Sequence, residues 1–219
     1  MKSKAGIICI ALGALLLSGS LILSLYNRRE DVVAQETVAK VVPQIVEQIQ
    51  QAQAEKEEKE GRPQSNTGKE PNRDPALKVP VELLTEEDKK MTEVEIDGHY
   101  YIGCLSIPAL ELELPIMSDW SYSKLRVSPC RYNGTVRGED LVLMAHNYKS
   151  HFGYISQLKL GDLVVFTDMD GNVTEYKVVG TDVLEPTAVE TVTSGDYDLT
   201  LFTCTYGGKS RVTVYCDKN

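Results

Sequence analysis

Cys204 ends a strand-like run, Thr200-Leu-Phe-Thr-Cys204, and a Gly-containing loop separates it from a second run, Arg211-Val-Thr-Val-Tyr215. β-branched and aromatic residues flank Tyr206-Gly207-Gly208, which is typical of a β-hairpin. Antiparallel pairing across this loop would set Cys204 opposite Arg211. Because a guanidinium favours the ionised form of a neighbouring thiol, Cys204 is a candidate nucleophile.

A thiol nucleophile needs a proton carrier, and the chain has 3 histidines. His146 ends the apolar run that begins at Leu141 and precedes a polar loop, so a buried strand would hold it at the protein surface. His151 lies in a predicted loop or helical turn, and His99 in a turn before a strand. His146 is therefore the candidate acid–base residue.

Several segments resemble the sortases, the cysteine transpeptidases of Gram-positive cell surfaces. The run that ends in Cys204 resembles their T-L-x-T-C motif, and Ala145-His146-Asn147 stands where the family has G-H-N/R, with Ala145 in place of the commoner Gly. Arg211 stands at the family's arginine. Three further matches lie at Ile102-Gly-Cys-Leu-Ser-Ile-Pro108, at Leu114-Pro115-Ile116, and from Phe152-Gly153 to Leu160-Gly161-Asp162.

The resemblance covers roughly Val81 to Cys216 and implies a closed β-barrel of about eight strands. It implies that His146, Cys204 and Arg211 are catalytic, and that an L-P-x-T-G-like sorting signal is cut after its Thr and joined to an amine. The acceptor would be a peptidoglycan precursor or a pilin lysine. Leu201, Thr203, Ala145 and Asn147 are expected near the substrate. The short connection from Val183 to Leu199 favours a class A- or D-like enzyme over class B.

Short strand-like segments separated by turn signals independently favour an all-β barrel or sandwich with few helices. Helices are predicted at Thr85–Thr92, at Ser121–Leu125 and as a turn near Phe152–Leu158. The predicted strands are Tyr100–Ile107, Leu110–Ile116, Leu141–His146, Leu163–Thr167, Thr174–Val183, Leu199–Cys204 and Arg211–Cys216.

Ahead of this domain, an uncharged apolar stretch from Ile7 to Leu25 would span roughly 28 Å as a helix, which is close to the thickness of a bilayer core. We expect a single membrane anchor within residues 1–27, with a cytoplasmic amino terminus and an extracellular catalytic domain. A cleaved signal peptide is the alternative, and Val32-Val33-Ala34 would offer a cleavage site.

Residues 28–80 are expected to form a partly helical stalk and linker, followed by the catalytic domain at 81–219. Val38, Val41, Val42, Ile45, Val46 and Ile49 recur at helix-like spacing. The stripe covers too few heptads for a coiled coil, so a solvated stalk is predicted up to about Gln53. Gly61 to Pro80 is interpreted as an irregular linker.

Composition excludes some partners. A formal charge of -9 disfavours nucleic acid. The 5 cysteines include no C-x-x-C pair and no metal-site spacing, so no cofactor is expected; calcium serves some relatives, but no ligand cluster is evident here. Cys104, Cys130 and Cys216 are predicted to be buried apolar residues, and a Cys130–Cys216 disulfide is an open alternative.

Two other functions stay open. A thiol-dependent cell-wall peptidase would use the same chemistry but transfer the acyl group only to water. A non-catalytic, membrane-tethered β-barrel that binds a surface ligand would need no reactive thiol. Each residue also has a structural alternative: Cys204 as a core residue, His146 as a surface residue and Arg211 as an edge residue that forms a salt bridge.

Overall fold

A computed structural model describes residues 2–60 and 81–219. It contains nine strands: β1 (Val94–Ile96), β2 (His99–Ile107), β3 (Leu112–Met117), β4 (Cys130–Asn133), β5 (Leu141–Ala145), β6 (Leu163–Asp168), β7 (Val173–Leu184), β8 (Leu199–Cys204) and β9 (Arg211–Lys218). The α-helices are α1 (Lys2–Glu60), α2 (Tyr122–Leu125) and α3 (Val189–Val192). Single 3-10 turns lie at Val81–Leu83, Pro108–Leu110 and Ile155–Gln157.

The strands form one sheet in the order β1-β2-β3-β4-β5-β8-β9-β7-β6. An antiparallel pairing between β2 and β6, from Gly103 opposite Asp168 to Ser106 opposite Val165, closes β2–β9 into a ring of eight strands. The short β1 adds to the outside of this ring by pairing with β2. The predicted closed, all-β barrel with few short helices is therefore confirmed.

The barrel interior is filled by alternate residues of these strands, because successive side chains of a strand point to opposite faces. The fully buried side chains there include large aromatic and aliphatic groups: Leu105, Leu143, Phe166, Tyr176, Leu201 and Val214.

All seven predicted strand segments are strands. The main shift is at β3, which starts at Leu112 because Pro108–Leu110 forms a 3-10 turn that ends at Glu111 in a left-handed conformation. Strands β1 and β4 were not predicted. The predicted helix at Thr85–Thr92 is wrong: turns occupy this segment, and Met91 packs into the barrel core just before β1 begins.

α1 begins with the apolar stretch of the predicted anchor. Among the described residues it is the one helix long and apolar enough to cross a membrane, and none of its most apolar window is buried against the protein. The length and composition of this helix are consistent with the predicted membrane anchor.

The second half of α1 packs against the barrel. Val41, Ile45 and Ile49 are at most 6% exposed, and they contact a cluster on the outer surface of β2 and β3 that includes Tyr101 and Met117. Burial of each aliphatic side chain is worth about 1.5–3 kcal/mol. The prediction of a solvated stalk is therefore wrong for this part of residues 28–80. The helical stripe was predicted, but the surface that it packs on belongs to strands far away in the sequence. The predicted linker from Gly61 to Pro80 lies outside the described residues.

Polar contacts fix the same helix along the length of the barrel. At the middle of α1, the Asp31 carboxylate accepts hydrogen bonds from Ser150, one from the backbone N–H at 3.2 Å and one from the hydroxyl at 2.9 Å. Lys40 forms a 2.6 Å ion pair with Asp97 in the β1–β2 turn. Gln53 donates to the Gly171 carbonyl at 2.9 Å, in the β6–β7 turn.

All cysteines of the described residues are free thiols, so the Cys130–Cys216 disulfide is not formed. Cys216 lies in the barrel core, whereas Cys130 lies in the cluster beneath α1. Burial raises the pKa of Cys104, Cys130 and Cys216 to about 12 in each case. Cys130 and Cys216 are buried apolar groups, as predicted, whereas Cys104 is half-buried and packs against the cluster beneath α1.

Candidate active site

Cys204 is the last residue of β8 and lies at the rim of the barrel. Antiparallel pairing of β8 with β9 places Cys204 directly opposite Arg211, as the hairpin pattern predicted. The connecting loop turns through Gly207 and Gly208, whose φ values of 80° and 69° lie in the left-handed region that glycine adopts without strain.

His146 reaches the same rim from β5, which runs parallel to β8. The pairing of Ala145 with Thr203 makes His146 and Cys204 the next residues along these two neighbouring strands. The Thr203 hydroxyl donates to the Ala145 carbonyl at 2.8 Å, and this bond holds the two strand ends together. Parallel neighbours are about 4.8 Å apart, so the fold brings imidazole and thiol into one region.

Arg211 is the third residue of the candidate site. Its Nη1 donates to the carbonyls of Gly208 at 3.3 Å and Ser210 at 3.2 Å, so the guanidinium lies against the hairpin loop. His146, Cys204 and Arg211 line a single cavity of about 200 Å³. The three residues that the sequence selected are thus brought together.

An apolar groove leads away from the three polar groups in this cavity. One wall is an aromatic row in which the Trp120 and Tyr132 rings lie 5.6 Å apart and the Tyr132 and Phe202 rings 5.3 Å apart, edge to face. The segment between β7 and β8 also lines this cavity, with Val189 and Val192 of α3. Such a groove suits an extended peptide with apolar side chains.

Cys204 also lines a second cavity of about 200 Å³. Asn147, Thr203, Tyr206 and Val212 line it too. Both cavities thus border the residue that carries the thiol.

The predicted substrate-binding residues fall into different environments. Ala145 lines the first cavity and Asn147 the second. Thr203 is 4% exposed and lines the second cavity. The prediction for Leu201 is wrong: its side chain is fully buried in the barrel core. Strand alternation is the reason, because Leu201 points inward when Cys204 points outward.

Strand alternation also identifies a site residue that was not predicted. Phe202 lies two residues before Cys204 on β8 and lines the same cavity. Because alternate residues of a strand share a face, Phe202 could have been predicted from its position relative to Cys204. Tyr132 lies on the unpredicted β4. Trp120, in the loop after β3, packs on Tyr132 and lines the same cavity.

The surroundings of His146 disfavour its charged form. Burial, together with the positive charge of Arg126, lowers the pKa of His146, and the nearby Glu30 carboxylate acts in the opposite direction. The Tyr148 ring packs on the imidazole with centroids 4.9 Å apart and planes 31° apart. His151 is fully buried, and burial lowers its pKa to about 4, so its neutral form is favoured at neutral pH.

In the described ranges 2–60 and 81–219, no group of three or more His, Cys, Asp or Glu residues is placed so that it could hold a metal ion.

The family model described as the sortase domain matches residues 105–219, which is more than half of the chain and includes the whole rim described above. The chain belongs to the sortase family. This sortase is 29% identical to Sortase A of Bacillus anthracis over 121 residues, which are 52% of this chain and 57% of that protein. The chain therefore matches little more than half the length of that relative.

Solved sortases share the fold. Sortase A from Corynebacterium diphtheriae superposes with a TM-score of 0.51 at 21% identity, covering 55% of this chain and 61% of that one. A Clostridium perfringens Sortase D5 transpeptidase superposes with a TM-score of 0.50 at 19% identity, covering 63% and 90%.

Proposed function

We propose that this sortase is a cysteine transpeptidase that cleaves an L-P-x-T-G-like sorting signal and transfers the acyl group to an amine. The observation that carries the proposal is the shared cavity: a thiol, an imidazole and a guanidinium from three strand ends border one peptide-sized groove. A thiol and a proton carrier within reach of one carbonyl are the requirements of thioacyl chemistry.

In the proposed first step, the Cys204 thiolate attacks the carbonyl carbon of the signal's Thr. A tetrahedral oxyanion forms, and it collapses to a thioester as the C–N bond breaks. Protonated His146 donates its proton to the departing amine nitrogen. In the second step the acceptor amine attacks the thioester, loses a proton to His146 and releases the Cys204 thiolate.

Arg211 is proposed to stabilise the oxyanion and to orient the substrate. Its guanidinium is bonded to two carbonyls of the hairpin loop, which leave some of its five N–H donors for a ligand. Donors fixed before the reaction stabilise developing charge without reorganising during the step.

The groove supports the substrate class. The aromatic row and α3 offer apolar contact to the Leu and Pro of such a signal, and Phe202 and Ala145 border the thiol itself. The proposed substrates are surface proteins that carry this signal. The proposed acceptor is an amine of a peptidoglycan precursor or a pilin lysine.

The proposed location is the cell membrane. The apolar start of α1 would anchor the chain as a single pass, with the barrel on the extracellular side, where the sorting signals and the acceptor amines are found.

The test uses the full chain in detergent micelles with a fluorogenic peptide that contains the signal, with and without a glycine-based amine. We expect cleavage without the amine and a new amide product with it. Cys204→Ala should reduce both rates at least about 10³-fold, because the covalent step is lost. Cys104→Ala is the control, since its thiol lies outside the cavity.

Full activity in Cys204→Ala would refute the assignment. Hydrolysis with no amide product at saturating amine would instead indicate a thiol peptidase, and no turnover of any peptide would favour a binding domain.

A further inference from the structure

The membrane-linked helix α1 reaches the candidate active site. Glu30 lies on α1 only five residues beyond Leu25, and its carboxylate Oε2 accepts a 2.8 Å hydrogen bond from the Tyr148 hydroxyl. Tyr148 lies two residues after His146 in the loop that follows β5, and its ring packs on the imidazole. A continuous chain of contacts thus runs from α1 to His146.

Both oxygens of the Glu30 carboxylate are occupied. Oε1 accepts from the Tyr26 hydroxyl at 2.6 Å, one helical turn earlier on α1. These two hydrogen bonds lower the pKa of Glu30, so the carboxylate stays ionised at neutral pH. A carboxylate held from two sides has a fixed position and a fixed charge.

Neighbouring contacts hold the same loop. Asp31 accepts two hydrogen bonds from Ser150, so consecutive residues of α1 engage both halves of the loop. Within the described residues, no hydrogen bond or ion pair of the His146 ring is found, so aromatic packing is what orients it. The orientation of Tyr148 therefore bears directly on His146.

We propose that Glu30 is a positioning residue for His146, acting through Tyr148, so that the helix leaving the membrane is part of the catalytic apparatus. This rests on the proposed function, in which His146 is the proton carrier. Loss of the Tyr148–Glu30 hydrogen bond would let the Tyr148 ring turn away and would release the imidazole from its place beside Cys204.

Glu30 has a second effect through its charge. Its carboxylate opposes the lowering of the His146 pKa by burial and by Arg126, so its removal should lower the pKa of His146 further. The other titratable or charged groups facing His146 are Tyr148 and His151 from its own loop, Arg126 after α2, and Cys204, Arg211 and Glu185 around the cavity.

Three variants of the full chain in micelles separate the two effects. Glu30→Ala removes the acceptor and the charge, Glu30→Gln keeps an acceptor but removes the charge, and Tyr148→Phe keeps the ring but removes its hydroxyl. We expect Glu30→Ala and Tyr148→Phe to lower kcat about tenfold with KM within about twofold, because proton transfer depends on placement. Glu30→Gln should regain most of the lost kcat.

NMR titration of His146 provides a readout independent of turnover, and the presence of only 3 histidines makes its signal assignable. Both Glu30 variants should lower the pKa of His146, whereas Tyr148→Phe should change it less. Lys40→Gln is the matched control: it breaks another contact between α1 and the barrel, the ion pair with Asp97, and should change neither kcat nor the titration.

Wild-type kcat and a wild-type His146 titration in Glu30→Ala would overturn the proposal. An equal loss of kcat in Lys40→Gln would also overturn it, since general attachment of α1 would then explain the effect. If the wild-type chain turned over no peptide, the proposed function would fail, and the His146 titration would still decide whether Glu30 acts on this imidazole.

Discussion

At the scale of single residues, position on the strand distinguishes Cys204 from the other cysteines of the barrel. Cys204 lines two cavities at the rim of the barrel. Cys130 and Cys216 are buried in clusters of apolar side chains, and the half-buried Cys104 packs against one of these clusters and lines neither cavity. A thiol can act as a nucleophile only if it ionises and meets a substrate. Among these four thiols, Cys204 alone lines the two cavities of the candidate site.

Thiol labelling tests this distinction. At pH 8 we expect iodoacetamide to modify Cys204 while Cys104, Cys130 and Cys216 remain unmodified until urea unfolds the chain. Burial raises the pKa of each of those three to about 12, so their thiolate fraction at pH 8 is on the order of 10⁻⁴. Mass spectrometry of a Cys9→Ser background would count the modified sites. Labelling of Cys104 as fast as Cys204 would contradict the prediction.

At the scale of elements, α1 combines two roles in one continuous helix. Its apolar start suits a bilayer, and its later turns present Val41, Ile45 and Ile49 to the outer surface of the barrel. The contacts from Asp31 to Gln53 extend over about 33 Å of helix at 1.5 Å per residue. α1 therefore holds the barrel along its length.

A matched pair of substitutions on α1 tests this packing. Ile45→Ala should lower the free energy of unfolding by about 2–5 kcal/mol, because Ile45 is fully buried against the barrel. Val46→Ala, at the next position, should cost less than about 0.5 kcal/mol because that side chain is 38% exposed. Urea unfolding followed by Trp120 fluorescence would measure both. An equal loss of unfolding free energy in the two variants would mean that α1 does not pack on the barrel in solution.

The same elements explain what could be predicted from the sequence. The β8–β9 hairpin is local, so its bounds and the pairing of Cys204 with Arg211 followed from turn residues and strand propensity. β4 has four residues and pairs with β3 through a single register position, Met117 with Cys130, so it has little local signal. The partner of the α1 stripe lies on strands more than fifty residues away, and no pattern within α1 specifies it.

At the scale of the whole molecule, helix α1, the barrel and the candidate site form one connected body in the described residues. The loop from His146 to Ser150 joins them, because it borders the cavity and bonds to α1 through Tyr148 and Ser150. His151 comes next and is fully buried beneath this loop. A change of charge at His151 would therefore affect the stability of the molecule as well as the site.

Acid should destabilise the protein through His151. Its pKa is lowered by burial from 6.5 to about 4, so the unfolded chain binds a proton between these values that the folded chain does not bind. The free energy of unfolding should fall as pH drops from 6.5 towards 4, by up to about 3 kcal/mol from this group. Urea unfolding at half-unit steps of pH would give the slope, and His151→Gln should flatten it whatever that substitution costs at pH 7.5. An unchanged slope in His151→Gln would show that the acid sensitivity arises from other groups and that the buried imidazole contributes none of it.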